Sequence, residues 1–221
     1  MMIFIFSLLL AFFSISYAQV GKMIKVVGGQ EAYLLRGSEK LLLKEDLDLE
    51  EGDEIFSETS YLVFLIHPST QLSLSKNTSI KIVQAKFEKE EKVSTLTSSI
   101  ELLKGLLRVQ VIKDSDLQVD QKIISQNVAF AVRGTEFEVS LDEENIDLDV
   151  VEGEVEVSSP DIQTFVPEIV KANEGFRFLR KKPKFLRRAF KLRFKDHPAF
   201  LSRKVLKDRW RKNKFKRRPG R

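Results

Sequence analysis

The sequence predicts an all-β domain from two patterns: apolar side chains alternate with polar ones along short segments, and glycines recur between those segments. Val128 to Val157 shows both. Val128, Phe130 and Val132 share one face of an extended chain, and Phe137, Val139 and Leu141 do the same beyond Arg133-Gly134-Thr135-Glu136. Ile146, Leu148 and Val150 continue the alternation. A side-chain period of two marks strands with one packed face and one wet face. Glu152-Gly153 interrupts the pattern as a tight reversal would, and Val155 and Val157 resume it. Asp142-Glu143-Glu144-Asn145 reads as a hairpin tip. Leu102 to Val109 and Val150 to Val157 share one form: two apolar residues, a charge, glycine, then alternation ending on valine. Leu34-Leu35-Arg36-Gly37 begins in the same way. The uneven spacing of these units argues against a regular solenoid and favours short antiparallel strands in two packed or coiled sheets. Positive φ is expected at each of these glycines.

The remaining elements follow from the N-terminus. Residues 1–18, MMIFIFSLLLAFFSISYA, carry no charged side chain and place Ser16 and Ala18 where signal peptidase reads small residues. Cleavage after Ala18 is expected, leaving Gln19 first. Retained, an apolar run of about twenty residues would be long enough to anchor the chain in a bilayer. Tyr61 to Ile66 reads as a buried strand ending at His67-Pro68. Phe87 to Ser98 has the weakest apolar pattern of the domain and reads as an exposed loop or extended edge, with room for a helical turn over 86–92. There is no cysteine, which excludes a lipoprotein acylation site, a thiolate nucleophile and a thiolate metal site. An exported domain of this composition holds together by its core.

Charge divides the chain. From Phe176 to Arg221 there are 21 Lys and Arg against Asp196 and Asp208, a balance of +19, while the preceding 175 residues carry −14. The domain boundaries expected from these features are a signal peptide at 1–18, a β domain at 19–178 and a basic, partly helical C-terminal tail at 179–221. Asp196-His197-Pro198 can start a helix with proline in its first turn. In that helix Ala199, Leu201, Val205, Leu206 and Trp210 form a broad apolar side, with Lys204, Lys207 and Arg211 clustered opposite. Between Phe185 and Phe194 both helical and alternating patterns fit. Such a tail suits an anionic membrane or polymer, where charge attracts and apolar side chains insert at the interface. It equally suits an acidic protein surface, the chain's own β domain included. Nucleic acid would satisfy the same charges, but it belongs to another compartment than an exported protein.

No constellation compels catalysis. The two histidines, His67 and His197, each precede proline in different regions, too few for a His-based metal site or triad. No cofactor motif is present. Asp46, Asp48, Glu50, Glu51 and Asp53 bring many oxygens together, but Leu47 and Leu49 alternate with them and Gly52 is misplaced for a calcium loop, so a strand with an acidic face is expected. Glu136, Glu138, Glu152, Glu154 and Glu156 form a second acidic set, expected on facing strands and offset by Arg133 or by the tail. Arg133 and Glu136 flank the Gly134-Thr135 turn as a local pair or a ligand contact. The candidate binding residues are thus Arg133, Glu136, Lys204, Lys207, Trp210 and Arg211. A cell-wall carbohydrate hydrolase using Glu136 and Glu138, or Asp46 and Asp48, is the rival from the enzyme class.

VRGTEFEV at 132–139 followed by DVVEGEVEV at 149–157 resembles the signature of the FecR domain, named for the ferric-citrate regulators of bacterial envelopes. The resemblance runs in order through Val20 to Val27, Tyr33 to Gly37, Leu49 to Asp53 and Leu72 to Leu74. It continues through Ser99 to Val109, similar to the family's middle hairpin, and Val170 to Gly175, similar to its closing strand and turn. The regulators' cytoplasmic anti-sigma segment and membrane-spanning helix have no counterpart in the sequence. The resemblance therefore implies the stand-alone exported form: a non-enzymatic binding or scaffolding module of the periplasm or cell envelope that contacts envelope proteins, with envelope signalling among the roles it implies. An uncleaved N-terminus would instead make it a membrane-anchored receptor domain.

Overall fold

The computed structural model describes residues 19–194, apart from 30, 67–69, 90–93, 112–116, 133, 160, 163–164 and 182–183. All regular structure among these residues is strand. None of them forms a helix long and apolar enough to cross a membrane.

The chain alternates between two sheets, here termed front and back. β1 (Gln19–Gly28) lies in front, β2 (Tyr33–Arg36) and β3 (Glu39–Leu42) form a hairpin at the back, β4 (Asp48–Glu50) returns to the front and β5 (Glu54–Phe56) to the back. β6 (Ser60–Ile66) and β7 (Thr70–Leu74) pair in front, β8 (Ser79–Lys89) runs at the back, and β9 (Ser94–Val111) starts at the back and finishes in front. Pairs then alternate: β10 (Leu117–Ser125) with β11 (Val128–Val132) at the back, β12 (Glu136–Leu141) with β13 (Asn145–Glu152) in front. β14 (Glu154–Ser158) with β15 (Glu168–Lys171) follows at the back, and β16 (Glu174–Leu179) with β17 (Lys184–Ala189) in front. The front order is β4-β1-β6-β7-β9-β12-β13-β16-β17, and the back order is β3-β2-β5-β8-β9-β10-β11-β14-β15.

Alternation dictates the core. Val128, Phe130, Val132, Phe137, Val139, Leu141, Ile146, Leu148, Val150, Val155 and Val157 are all buried in one cluster fed by both sheets. Each such side chain removed from water contributes about 1.5–3 kcal/mol, which is how a domain without disulfides holds two sheets together.

The repeated glycine units take their meaning from this path. Gly105 and Gly153, with φ of 91° and 82°, stand where the chain passes from one sheet to the other, and Gly37 (φ 60°) closes the β2–β3 hairpin. Positive φ holds at all three. The Glu152-Gly153 interruption is, however, a corner rather than a reversal: β13 pairs with β12 and β16, and β14 with β11 and β15. Likewise Ser99 to Val109 is no hairpin but the middle of one 18-residue strand, because its two halves find different partners, β8 and β10 before Gly105, β7 and β12 from it onward. Having ended β9 in the front sheet, the chain re-enters the back sheet beside the start of β9 and runs parallel to it, from Leu117↔Ser94 to Ile124↔Glu101. A crossover of this kind is what a parallel pair requires, and it breaks the otherwise antiparallel pairing. Over 87–98 the extended reading holds in part: Phe87 and Glu88 are exposed on β8, but Ser94 to Ser98 is no edge, being paired with β8 on one side and β10 on the other and burying Leu96 and Ser98, while 90–93 lie outside the described residues.

The two signature strings meet at one corner. Thr135 is fully buried, and a Cβ on Gly153 would lie 2.7 Å from its Cγ2. Glycine at 153 is thus required twice, for its φ and for this contact.

β17 lies within the stretch read from sequence as tail. Its Phe185 ring stacks on Phe165 at 3.8 Å between centroids and tilts against Phe176 and Phe178, which closes that end of the core. The helix expected from Asp196 lies outside the described residues.

Candidate functional site

The wet faces of the two sheets differ. At the back, the outward residues Gln118, Asp120, Lys122, Glu154 and Glu156 are exposed. In front, the outward residues of the central strands are mostly buried, and those of β9, β12 and β13 include buried charges. One cross-strand row runs Val63, Ser73, Arg108, Glu138, Asp149, Gly175, Arg188 across β6, β7, β9, β12, β13, β16 and β17. The neighbouring rows carry Leu65, Gln71, Gln110 and Glu136 on one side, and Ser140, Asp147, Arg177 and Leu186 on the other.

These rows place arginines and carboxylates in an alternating network. Arg108 donates from one guanidinium nitrogen to Glu138 at 2.9 Å and from another to Glu136, to which Gln110 Nε2 also donates at 2.8 Å. Asp147 accepts a two-pronged contact from Arg177, Nε at 2.7 Å and Nη2 at 2.9 Å, and a further bond from Arg193 Nη2 at 2.7 Å. Asp149 accepts from Arg188, from Arg193 Nη1 at 3.0 Å and from the Lys191 amide at 2.8 Å. Glu138 is fully buried and takes two backbone donors, the Arg193 amide at 2.7 Å and the Phe194 amide at 3.0 Å. Gly175 leaves the space through which Arg188 reaches Asp149, since a Cβ there would lie 3.0 Å from its Nη1. The planar forks suit bidentate carboxylate contacts better than an ammonium would.

The charges act on one another. Burial raises the Glu138 carboxyl above its usual range, against the lowering pull of the two amides and of Arg108. For Asp147 burial acts in the same direction, but the Arg177 hydrogen bond and the charges of Arg188, Arg177 and Arg193 prevail and hold it below the ordinary aspartate value. Four carboxylates, Glu136, Glu138, Asp147 and Asp149, face four guanidiniums, Arg108, Arg177, Arg188 and Arg193. The face is compensated within the chain, and residues 188–194 are bound to it.

A second charged cluster ties the Gly52-Asp53 turn to the β2–β3 hairpin. Arg36 grips fully buried Asp53 through Nε and Nη2, both at 2.8 Å, and Glu50 through Nη1 at 2.7 Å. The Glu50 amide donates to Asp53 Oδ2 at 2.9 Å. The acidic stretch 46–53 is thus organised around an arginine, with β4 as its strand.

Of the residues singled out from sequence, Glu136 lies in the front-face network, held by Arg108 and Gln110. Arg133, Lys204, Lys207, Trp210 and Arg211 lie outside the described residues. The basic C-terminal stretch meets Glu138, Asp147 and Asp149 in the front-face network, and Glu144, Glu168 and Glu174 through Lys181 and Arg187 at more exposed positions, whereas Glu154 and Glu156 are exposed on the back sheet. Asp147 and Asp149 were visible as polar members of the Ile146-Leu148-Val150 alternation. That β16 and β17 would lie beside them was not visible, because strand order is not written in periodicity.

Comparison with known proteins agrees with the motif reading. Residues 53–156 match the FecR protein family. Two crystal structures from Parabacteroides distasonis ATCC 8503, both of a protein described as a candidate anti-sigma factor, are similar at 18% identity and a TM-score of 0.42, covering 55% of this chain. The chain spans about half of those structures, 51% of their length. No curated protein matches. The family match covers the stretch from the Asp53 turn, through the sheet-crossing strand β9, to the Gly153 corner, and over these residues the chain carries a FecR domain.

Proposed function

We propose that the protein is an exported, non-enzymatic FecR-domain module of the bacterial cell envelope that binds or scaffolds there, with its C-terminal basic segment contacting an anionic membrane, polymer or acidic protein surface. The observation that carries this reading is the distribution of basic charge along the C-terminal part of the chain. Arg177, Arg188 and Arg193 are taken up by Asp147 and Asp149, while residues 195–221 still hold twelve Lys and Arg against Asp196 and Asp208, a balance of +10. Charge in such excess draws anionic partners at long range and does so less as salt rises. Lys204, Lys207 and Arg211 supply the contact. Export is supported by residues 1–18, an uncharged apolar run that places Ser16 and Ala18 where signal peptidase reads small residues. Glu136 and Glu138, the pair a hydrolase would need, are both held by Arg108, which favours the binding reading. The domain on this view runs from Gln19 to Phe194, with the basic residues 195–221 following it.

The test is sedimentation with vesicles rich in phosphatidylglycerol, comparing the full mature chain with one ending at Phe194. The full chain is expected to co-sediment at low salt and to be released at high salt, and the shorter chain to stay in solution. Equal sedimentation of the two would remove the basic segment from the account.

A further inference from the structure

We propose that the outer edge of β8 pairs with β8 of a second copy of this chain, antiparallel about a two-fold axis at Phe87, joining two back sheets into one. This does not depend on the anionic partner of the basic segment. β8 outlasts its neighbour on one side. It pairs with β9 from Ser79 to Lys89, but with β5 only from Ser79 to Lys81. The neighbouring chain enters the back sheet at the Gly52-Asp53 turn, and its backbone reaches no further than Ile82. There the Gly52 amide donates to the Ile82 carbonyl at 2.8 Å, and the Ile82 amide to the Asp53 carbonyl at 2.9 Å. Beyond Ile82, no strand among the described residues pairs with this side of β8. The Ala85 amide points to that side, where it meets only the exposed Glu51 carboxylate at 3.4 Å. Alternation turns the backbone groups of Phe87 and Lys89 the same way. An open edge of this kind is a template for another strand.

Charge selects which strand. Lys86 and Glu88 are exposed on one face of β8 and pair at 2.5 Å within the chain. With the axis at Phe87, Lys86 stands opposite Glu88 of the second copy and Glu88 opposite its Lys86, so that four charges alternate in sign around the axis. Ala85 then stands opposite Lys89 of the second copy, and these edge-facing residues exchange both backbone hydrogen bonds. Moving the axis by one residue either way would set Lys86 against Lys86 or Glu88 against Glu88, which fixes the register. The other outer strands offer no such match. β4 has three residues, and β3 and β15 have four. The Ile169 carbonyl on β15 also accepts from Arg187 at 3.4 Å, and β17 carries Lys184, Arg187 and Arg188 without an acid.

Sedimentation velocity over a series of concentrations tests the pairing. The full mature chain is expected to show a monomer–dimer equilibrium, and the chain ending at Phe194 to show the same one. Lys86→Glu and Glu88→Lys should each lose the dimer, because like charges then meet across the axis. An equimolar mixture of the two variants should restore it, since their charges at 86 and 88 are complementary. Ala85→Pro removes the edge-side amide and leaves the ladder to β9 intact, so it should be monomeric with its thermal transition retained. Should that variant melt early, the mixture of charge variants decides. An unaltered chain that stays monomeric at every concentration overturns the proposal. So do a dimer that survives both charge variants, a mixture that remains monomeric, a folded Ala85→Pro that still dimerises, and a dimer lost on truncation at Phe194.

Discussion

At the scale of single residues, the outer face of the front sheet is governed by the rule that a buried charge survives only when paired. Glu138 has no exposed surface and serves Arg108 and two amides together. Removing it leaves a buried guanidinium short of a partner, so Glu138→Ala should cost about 3–5 kcal/mol in urea unfolding. Glu138→Gln keeps an acceptor oxygen and should cost less. A loss within error for both would mean that the network contributes nothing to the fold. Asp147 and Glu138 should respond oppositely to acid. The folded value of Asp147 is held below the ordinary 3.8, so its contribution is complete above that range and is lost as pH falls through it. Burial lifts Glu138 above the ordinary 4.5, so its ionisation opposes folding, and stability rises as pH falls from the raised value towards 4.5. Unfolding free energies measured from pH 6 to pH 2 should therefore fall less steeply below about pH 4 in Asp147→Asn than in the unaltered chain. An unchanged slope contradicts the ion-pair assignment. The individual charges were legible in the sequence, since Asp147 and Asp149 alternate with core residues. Their partners were not, because Arg108, Arg177, Arg188 and Arg193 come from strands whose adjacency only the fold supplies.

At the scale of elements, the strands were legible and the connections between them were partly misleading. A period of two identifies which side chains enter the core, and every one named in Val128 to Val157 does so. The same pattern cannot say whether a glycine folds the strand back or sends it into the other sheet, since both need positive φ. The surroundings of each glycine separate the two cases. A Cβ on Gly105 would meet the Asn77 carbonyl oxygen and Thr78 Cα, both at 2.7 Å, whereas one on Gly37 would meet nothing within 4 Å. Both substitutions by alanine pay the left-handed backbone cost of about 1 kcal/mol, but only Gly105→Ala adds a steric one. Thermal melts should therefore rank Gly105→Ala and Gly153→Ala well below Gly37→Ala in stability. Similar melting temperatures for all three would refute the corner assignment. β17 illustrates the remaining difficulty. Phe185 serves the core and Arg188 the charged face, on either side of one short strand, yet a strongly basic composition made the stretch read as appendage.

At the scale of the whole molecule, a chain that crosses repeatedly between two sheets leaves each with an outer face, and only the front one buries charges on its central strands. The FecR stretch at 53–156 supplies the middle of both sheets, and the residues after it complete the front sheet and lay a basic arm across it. Net charge of −14 and +19 on the two parts of the chain is therefore partly an internal contact and partly a surface for partners. Binding to anionic vesicles should depend on residues beyond Phe194, and stability on residues before it. The most direct test of that division is the thermal unfolding of a mature chain ending at Phe194 beside one ending at Leu179. The account predicts a clearly lower and broader transition for the chain ending at Leu179, which lacks β17 and leaves Glu138 and Asp149 without Arg188 and Arg193. Superimposable transitions would contradict it.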